Sequence, residues 1–152
     1  MVAQVVLTLT GPMDHLRLVW QTGETLLQSV EFSEDPEGTR YNVLLALQEM
    51  VTNVLRHAYE LDESRPIQVV FTVTTTGIEV ALRDTGPAFN PLEHDITHLE
   101  FAGELPMPTQ NGGFGIYIAR LVMDEVAYER QGEWNVLRMR KLVGVSAPTK
   151  DR

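Results

Sequence analysis

Apolar residues along this chain recur at two different spacings, and the order in which the two alternate predicts the fold. Val2 to Leu9 alternates loosely between apolar and polar positions and ends at Gly11-Pro12, the pattern of a strand followed by a turn. From Met13 to about Glu31 the residues Leu16, Val19, Trp20, Leu26, Leu27 and Val30 recur at helical spacing, with Gly23 weakening the middle. Asp35-Pro36 then offers a cap and a first-turn proline to a second helix, whose apolar set is Leu44, Leu47, Val51, Val54, Leu55 and Ala58. Ile67, Val69, Phe71 and Val73 alternate as one strand, and Ile78, Val80 and Leu82 as the next, across a turn at Thr75-Thr76-Gly77. Asp84 to Asn111 has no clear period and carries several prolines and acids, which predicts a long loop holding at most one short helical turn. Gly113 to Met123 reads as a helix with Ile116, Ala119 and Met123 inward, and Val126 to Tyr128 with Asn135 to Leu142 as a closing hairpin around Gly132.

This order predicts an α/β chain of the two-layer α+β kind, in which three helices cover one face of a mixed, largely antiparallel sheet. Residues 1–145 are expected to form a single domain and 146–152 a polar tail. At 152 residues, 43% apolar and 22% charged, the composition is that of an ordinary globular protein with one core. The absence of cysteine excludes disulfides, thiolate metal sites and a Cys nucleophile. No apolar run approaches the roughly 20 residues of a membrane span, and Met1-Val2-Ala3-Gln4 has no basic export region, so the expected location is the cytoplasm. A net charge of −9 argues against direct nucleic-acid binding, Arg138-Met139-Arg140-Lys141 being the one short basic patch.

Three segments could carry chemistry. Glu49 and Asn53 are four apart on the second helix and share a face, about 40° apart around its axis and away from the apolar arc. His57, four further on, extends that polar ridge; a solvated helix face has the same pattern. Asp84-Thr85-Gly86-Pro87-Ala88-Phe89 follows a strand, so Asp84 is held at its end with a carboxylate able to accept from an amino group such as that of adenine, while Gly86 permits close approach. Asp, Gly and Pro also make plain turns. Gly112-Gly113-Phe114-Gly115 opens a helix, and glycines beside free helix amides make a phosphate cradle, although a lid hinge uses the same residues. Neither a Walker motif nor a Rossmann turn is present there.

Together the three segments resemble the GHKL ATPases, the superfamily of gyrase, Hsp90, histidine kinases and MutL, with their Bergerat fold. The chain looks most like the stand-alone anti-sigma-factor serine kinases through Glu49-Met50-Val51-Thr52-Asn53, His57-Ala58-Tyr59, Asp84 to Pro91, and Gly112 to Ile116 leading into Leu121 to Val126. The resemblance implies ATP and Mg²⁺ as cofactors, with Glu49 as catalytic base and Asn53 as the metal ligand. It implies nucleotide contacts from Asn53, His57, Asp84, Gly86, Phe89, Gly112, Gly113, Phe114 and Gly115, with Asp84 on the adenine amino group. The implied activity is transfer of the ATP γ-phosphate to a serine of a STAS-type antagonist, together with sequestration of a sigma factor or similar partner, in a homodimer.

The alternatives are an ATP-dependent protein-binding module without catalysis, or a detached histidine-kinase catalytic domain. A complete histidine kinase is not expected, because no phosphoacceptor His segment precedes the domain. Two positions depart from the family pattern. The expected lid from Asn90 to Asn111 has no Lys or Arg, leaving Arg120 on the following helix as the nearest substitute, and the last strand, Asn135 to Lys141, has no Thr to stand near the adenine.

Overall fold

The computed structural model describes residues 2–62, 64–94 and 114–144, with the main chain alone at His57, His94 and Phe114. In chain order these form β1 (Ala3–Leu9), α1 (His15–Leu27), α2 (Pro36–Asn53) running into a π-turn (Val54–Ala58), β2 (Ile67–Thr74) and β3 (Gly77–Asp84). A short 3₁₀ turn (Pro91–His94), α3 (Phe114–Val122), β4 (Glu125–Gln131) and β5 (Trp134–Leu142) follow. Gly112, Gly113, most of the long loop and the expected tail at 146–152 lie outside the described residues.

The strands make one sheet in the order β1-β2-β3-β5-β4. Every neighbouring pair is antiparallel, so the largely antiparallel sheet read from the sequence is antiparallel at each described pairing. After β3 the chain moves out to form the edge strand β4, and β5 returns between the two. That crossover sets the end of β3 against the start of β5, with Asp84 directly opposite Asn135.

Alternation decides which face of the sheet is covered. Ile67, Val69 and Phe71 on β2, Ile78, Val80 and Leu82 on β3, and Leu137 and Met139 on β5 are buried in one core with Val19, Leu27, Leu44, Leu47, Val51, Ile116 and Ala119 from the three helices. Gly23, a weak point for α1 by propensity, is buried there. A Cβ on it would lie 2.8 Å from Leu44 Cδ2 and 3.5 Å from Phe71 Cε2. The glycine costs about 1 kcal/mol of helix propensity, and in return α1 lies close against α2 and the sheet. Among the described residues no helix covers the opposite sheet face, which carries a hollow of about 350 Å³ bordered by Thr72, Glu79, Arg83 and Arg138, on the outward phase of the strands. No helix among the described residues is long and apolar enough to cross a membrane.

Helix ends follow their local chemistry. Asp14 caps α1, its Oδ1 accepting from the Arg17 amide at 3.0 Å. The cap and proline expected at Asp35-Pro36 are in place, with Asp35 Oδ1 accepting from the Gly38 amide at 3.3 Å. α1 stops at Leu27, short of the expected Glu31, yet Val30 and Phe32 stay buried beyond its end. Arg40 braces this stretch, since its guanidinium donates to the carbonyl of Val30 at 3.1 Å and to that of Leu27 at 2.9 Å, which also accepts from the Val30 amide at 3.1 Å.

The end of α2 differs from expectation in kind. The Tyr59 amide donates to Val54 O at 2.9 Å, five residues back, so the last turn is a π-turn. Ala58 remains half-buried against the core, as periodicity assigns it, and its Cβ also faces the turn after β3. Five residues are about 140° apart around an α-helix, whereas an i→i+5 turn brings them onto nearly one face. Ala58 and Asn53 thus come to the same side of the rod.

Candidate functional site

The site is built along α2, with one contact at each end of the stretch from Glu49 to Ala58. At the π-turn end stands Asp84, the last residue of β3 and only 7% exposed. Its Oδ1 accepts from the Gly86 amide at 2.8 Å and from Asn135 Nδ2 at 3.0 Å. Asp84 Oδ2 takes no hydrogen bond from the described residues. Among the described residues Asp84 is thus an acceptor fixed through Oδ1 alone.

Gly86 is buried against the π-turn. A Cβ there would lie 2.8 Å from Ala58 Cβ and 3.0 Å from Asp84 Oδ1, so the turn fits only without a side chain at this position. Tyr59 and Arg65 brace the segment from the other side. The Tyr59 hydroxyl accepts from the Thr85 amide at 2.7 Å and donates to Pro66 O. The Arg65 guanidinium stacks 4.5 Å over the Tyr59 ring and donates to Thr85 O. Phe89, expected at the nucleotide, has its ring half-exposed at the rim and its amide directed to Asn135 Oδ1 at 3.4 Å.

At the other end, Glu49 and Asn53 are half-buried, because the polar face read as pointing away from the core is turned toward the first turn of α3. A Cβ on Gly115 would lie 2.9 Å from Met50 Cε, 3.0 Å from Glu49 Cβ and 3.3 Å from Asn53 Nδ2. The glycine lets the first turn of α3 come down beside the Glu49 and Asn53 side chains. Acceptor, carboxamide, carboxylate and helix terminus therefore line one side of a single element.

Four expected contacts are not described: Gly112 and Gly113 entirely, and the side chains of His57 and Phe114. Arg120 lies exposed in the last turn of α3. Among the described residues no group of three or more His, Cys, Asp or Glu side chains could hold a metal by itself. One carboxamide, that of Asn53 near the first turn of α3, suits Mg²⁺ shared with phosphate oxygens and water, the usual habit of that ion.

Sequence reasoning missed Asn135, which is 6% exposed. Its Nδ2 donates to Asp84 Oδ1 and to the carbonyls of Gly86 at 3.3 Å and Pro87 at 3.0 Å. Its Oδ1 accepts from Tyr128 and Arg130 of β4. The signal was available, since Asn135 shares the inward phase of β5 with Leu137 and Met139, just as Asp84 shares that of β3 with Val80 and Leu82. Polar residues on the inward phase of two neighbouring strands are a pair awaiting a reason.

A five-stranded antiparallel sheet with helices on one face, and an Asp-Gly turn and a helix terminus meeting along one helix, define a nucleotide-binding ATPase class. The chain belongs to the histidine kinase-like ATPase domain family, whose model matches residues 12–141. ATP binding goes with that membership. The chain is 30% identical over 88 residues to the serine-protein kinase RsbW of Oceanobacillus iheyensis, covering 57% of this chain and 56% of that protein. It is 28% identical over 104 residues to RsbW of Bacillus subtilis, covering 66% and 63%. The matches thus span about 56 to 63% of the length of these curated relatives. Among solved structures, the RsbU and RsbW domains of Rv1364c from Mycobacterium tuberculosis align over 92% of this chain and 32% of theirs, with a TM-score of 0.62 and 15% identity, a likeness of fold alone.

Proposed function

We propose that this chain is an ATP- and Mg²⁺-dependent protein serine/threonine kinase of the anti-sigma-factor type, acting on a serine of a STAS-type antagonist and sequestering a sigma factor or similar partner. The observation that supports it above others is the closure of Gly115 onto Glu49 and Asn53, which sets a carboxylate beside the place where a helix terminus can hold phosphate. Asp84 binds the 6-amino group of the base through Oδ2, Gly86 sits against the base, and the amides at Gly115 hold phosphate oxygens. Asn53 is the residue that would hold Mg²⁺, and the ion supplies charge neutralisation on the phosphates when bound.

Glu49 takes the proton of the acceptor serine hydroxyl. The serine oxygen forms its bond to the γ-phosphorus as the bond from that phosphorus to the β,γ-bridging oxygen breaks, and ADP is the leaving group. The chain's contribution is alignment and proton transfer rather than covalent catalysis.

The absence of Lys and Arg from Asn90 to Asn111 favours a second reading, in which nucleotide occupancy alone sets partner affinity and no phosphate moves. Incubation with γ-labelled ATP, Mg²⁺ and STAS proteins of the same genome separates the two. Label on the antagonist that disappears with Glu49→Ala supports the kinase. Tight ATP binding with no transfer to any antagonist overturns it in favour of the second reading.

A further inference from the structure

We propose that Arg130, an exposed arginine on the edge strand, is a positioning residue for recognition of the base, acting on Asp84 through Asn135. The inference rests on the nucleotide reading above. It starts from an electrostatic gap: Asp84 is a buried carboxylate that makes no ion pair among the described residues. A buried carboxylate without a cation depends on the hydrogen bonds it accepts. One of its two comes from Asn135.

Asn135 can do this in one orientation only. Its Oδ1 faces three donors, the Tyr128 hydroxyl, Arg130 Nη1 at 3.2 Å and the Phe89 amide at 3.4 Å. Its Nδ2 faces three acceptors, Asp84 Oδ1 at 3.0 Å, Gly86 O at 3.3 Å and Pro87 O at 3.0 Å. Reversing the amide would set an oxygen against a carboxylate and two carbonyls.

The three donors on Oδ1 differ in what they can enforce. The Phe89 contact is long, and the Tyr128 hydroxyl rotates and can accept as readily as donate. Arg130 is charged, planar and donor-only. It is held in place by Nε donating to Gly132 O at 2.9 Å and Nη1 donating to Gly86 O at 2.9 Å. A charged donor on Oδ1 polarises the amide and strengthens the bond that Nδ2 gives Asp84. Positive charge thus reaches the carboxylate through one amide, without a salt bridge. The same guanidinium ties the Gly86 carbonyl to the edge strand, so the Gly86 turn and the carboxylate that reads the base share one anchor.

The consequence falls on the choice of base. With Oδ1 occupied and the carboxylate unable to turn, Oδ2 can only accept, which suits a purine bearing a 6-amino group and rejects a 6-keto oxygen in that place. Arg130→Met keeps the side-chain length and removes both charge and donors at an exposed position, so the chain is expected to fold. Calorimetry would compare ATP with purine riboside triphosphate, which lacks only the 6-amino group, on the unaltered chain and on Arg130→Met.

In the unaltered chain the amino group is expected to contribute on the order of 10- to 100-fold in affinity, the usual worth of a hydrogen bond to a charged group. In Arg130→Met that contribution is expected to fall below about threefold, while purine riboside triphosphate binds both proteins within about threefold. Equal weakening of both ligands, or an unchanged contribution of the amino group, overturns the proposal and leaves the nucleotide reading standing. Failure of the unaltered chain to bind ATP overturns both.

Discussion

Gly115 on α3 approaches Glu49 on α2 so closely that a Cβ on the glycine would sit 3.0 Å from that of the glutamate. Gly115→Ala must therefore move α3 outward or push Met50 and Glu49 aside. Overpacking of this kind costs about 1–3 kcal/mol, against about 1 kcal/mol gained in helix propensity. A modest fall in denaturation midpoint with a larger loss of triphosphate affinity is expected. An alanine variant that binds ATP as well as the unaltered chain would show that the contact does not serve the phosphates.

Glu49 is half-buried beside that contact, and its proposed work is in transfer rather than binding. Glu49→Gln keeps the shape and removes the base. Phosphotransfer to the antagonist is expected to drop by about 100-fold or more, with ATP affinity within about threefold of the unaltered chain. Single-turnover measurement with labelled ATP, alongside calorimetry, checks both halves.

Asp84→Asn converts the oxygen that would meet the base into either an acceptor of lower charge or a competing donor. Loss of a hydrogen bond to a charged group predicts ATP binding about 10- to 100-fold weaker. The fold should survive, since Oδ1 can still accept from Gly86 and Asn135. Unchanged ATP affinity would remove Asp84 from the site.

Gly86 and Ala58 make a test that compensates itself. A Cβ at 86 would lie 2.8 Å from Ala58 Cβ and 3.5 Å from Ala58 Cα, and the main chain cannot swing away. Gly86→Ala alone should weaken ATP binding and lower stability. Adding Ala58→Gly should recover part of both, a coupling of about 0.5–3 kcal/mol in the double-mutant cycle expected for residues in contact. Purely additive losses would mean that the turn and the helix do not bear on each other.

Element types and order were legible because each inner face keeps a clean period: Ile116 and Ala119 of α3, the alternating core residues of β2 and β3, and the cap at Asp35 are buried or bonded where periodicity and capping place them. The pair Glu49 and Asn53 was legible as a shared face. What that face meets was not, because the partner is a glycine on α3, more than sixty residues later, and the lack of a Cβ leaves no pattern to read.

Two other features escaped for different reasons. The end of α1 was placed too late because Val30 continues the apolar pattern outside the helix, its carbonyl held by Arg40. Asn135 was passed over for the Thr it is not. Its role follows from strand register, which sets it opposite Asp84 and which no single segment reveals.

The π-turn at Val54–Ala58 gives α2 the character of a ruler. One residue more per turn brings Ala58, and with it the Asp84 turn, to the side of the rod that already carries Asn53. Base and phosphate ends are then gauged from a single edge. Deleting one residue from that turn would restore an α-helical register, swing the base end around the axis and leave each half of the site intact but no longer commensurate with one nucleotide.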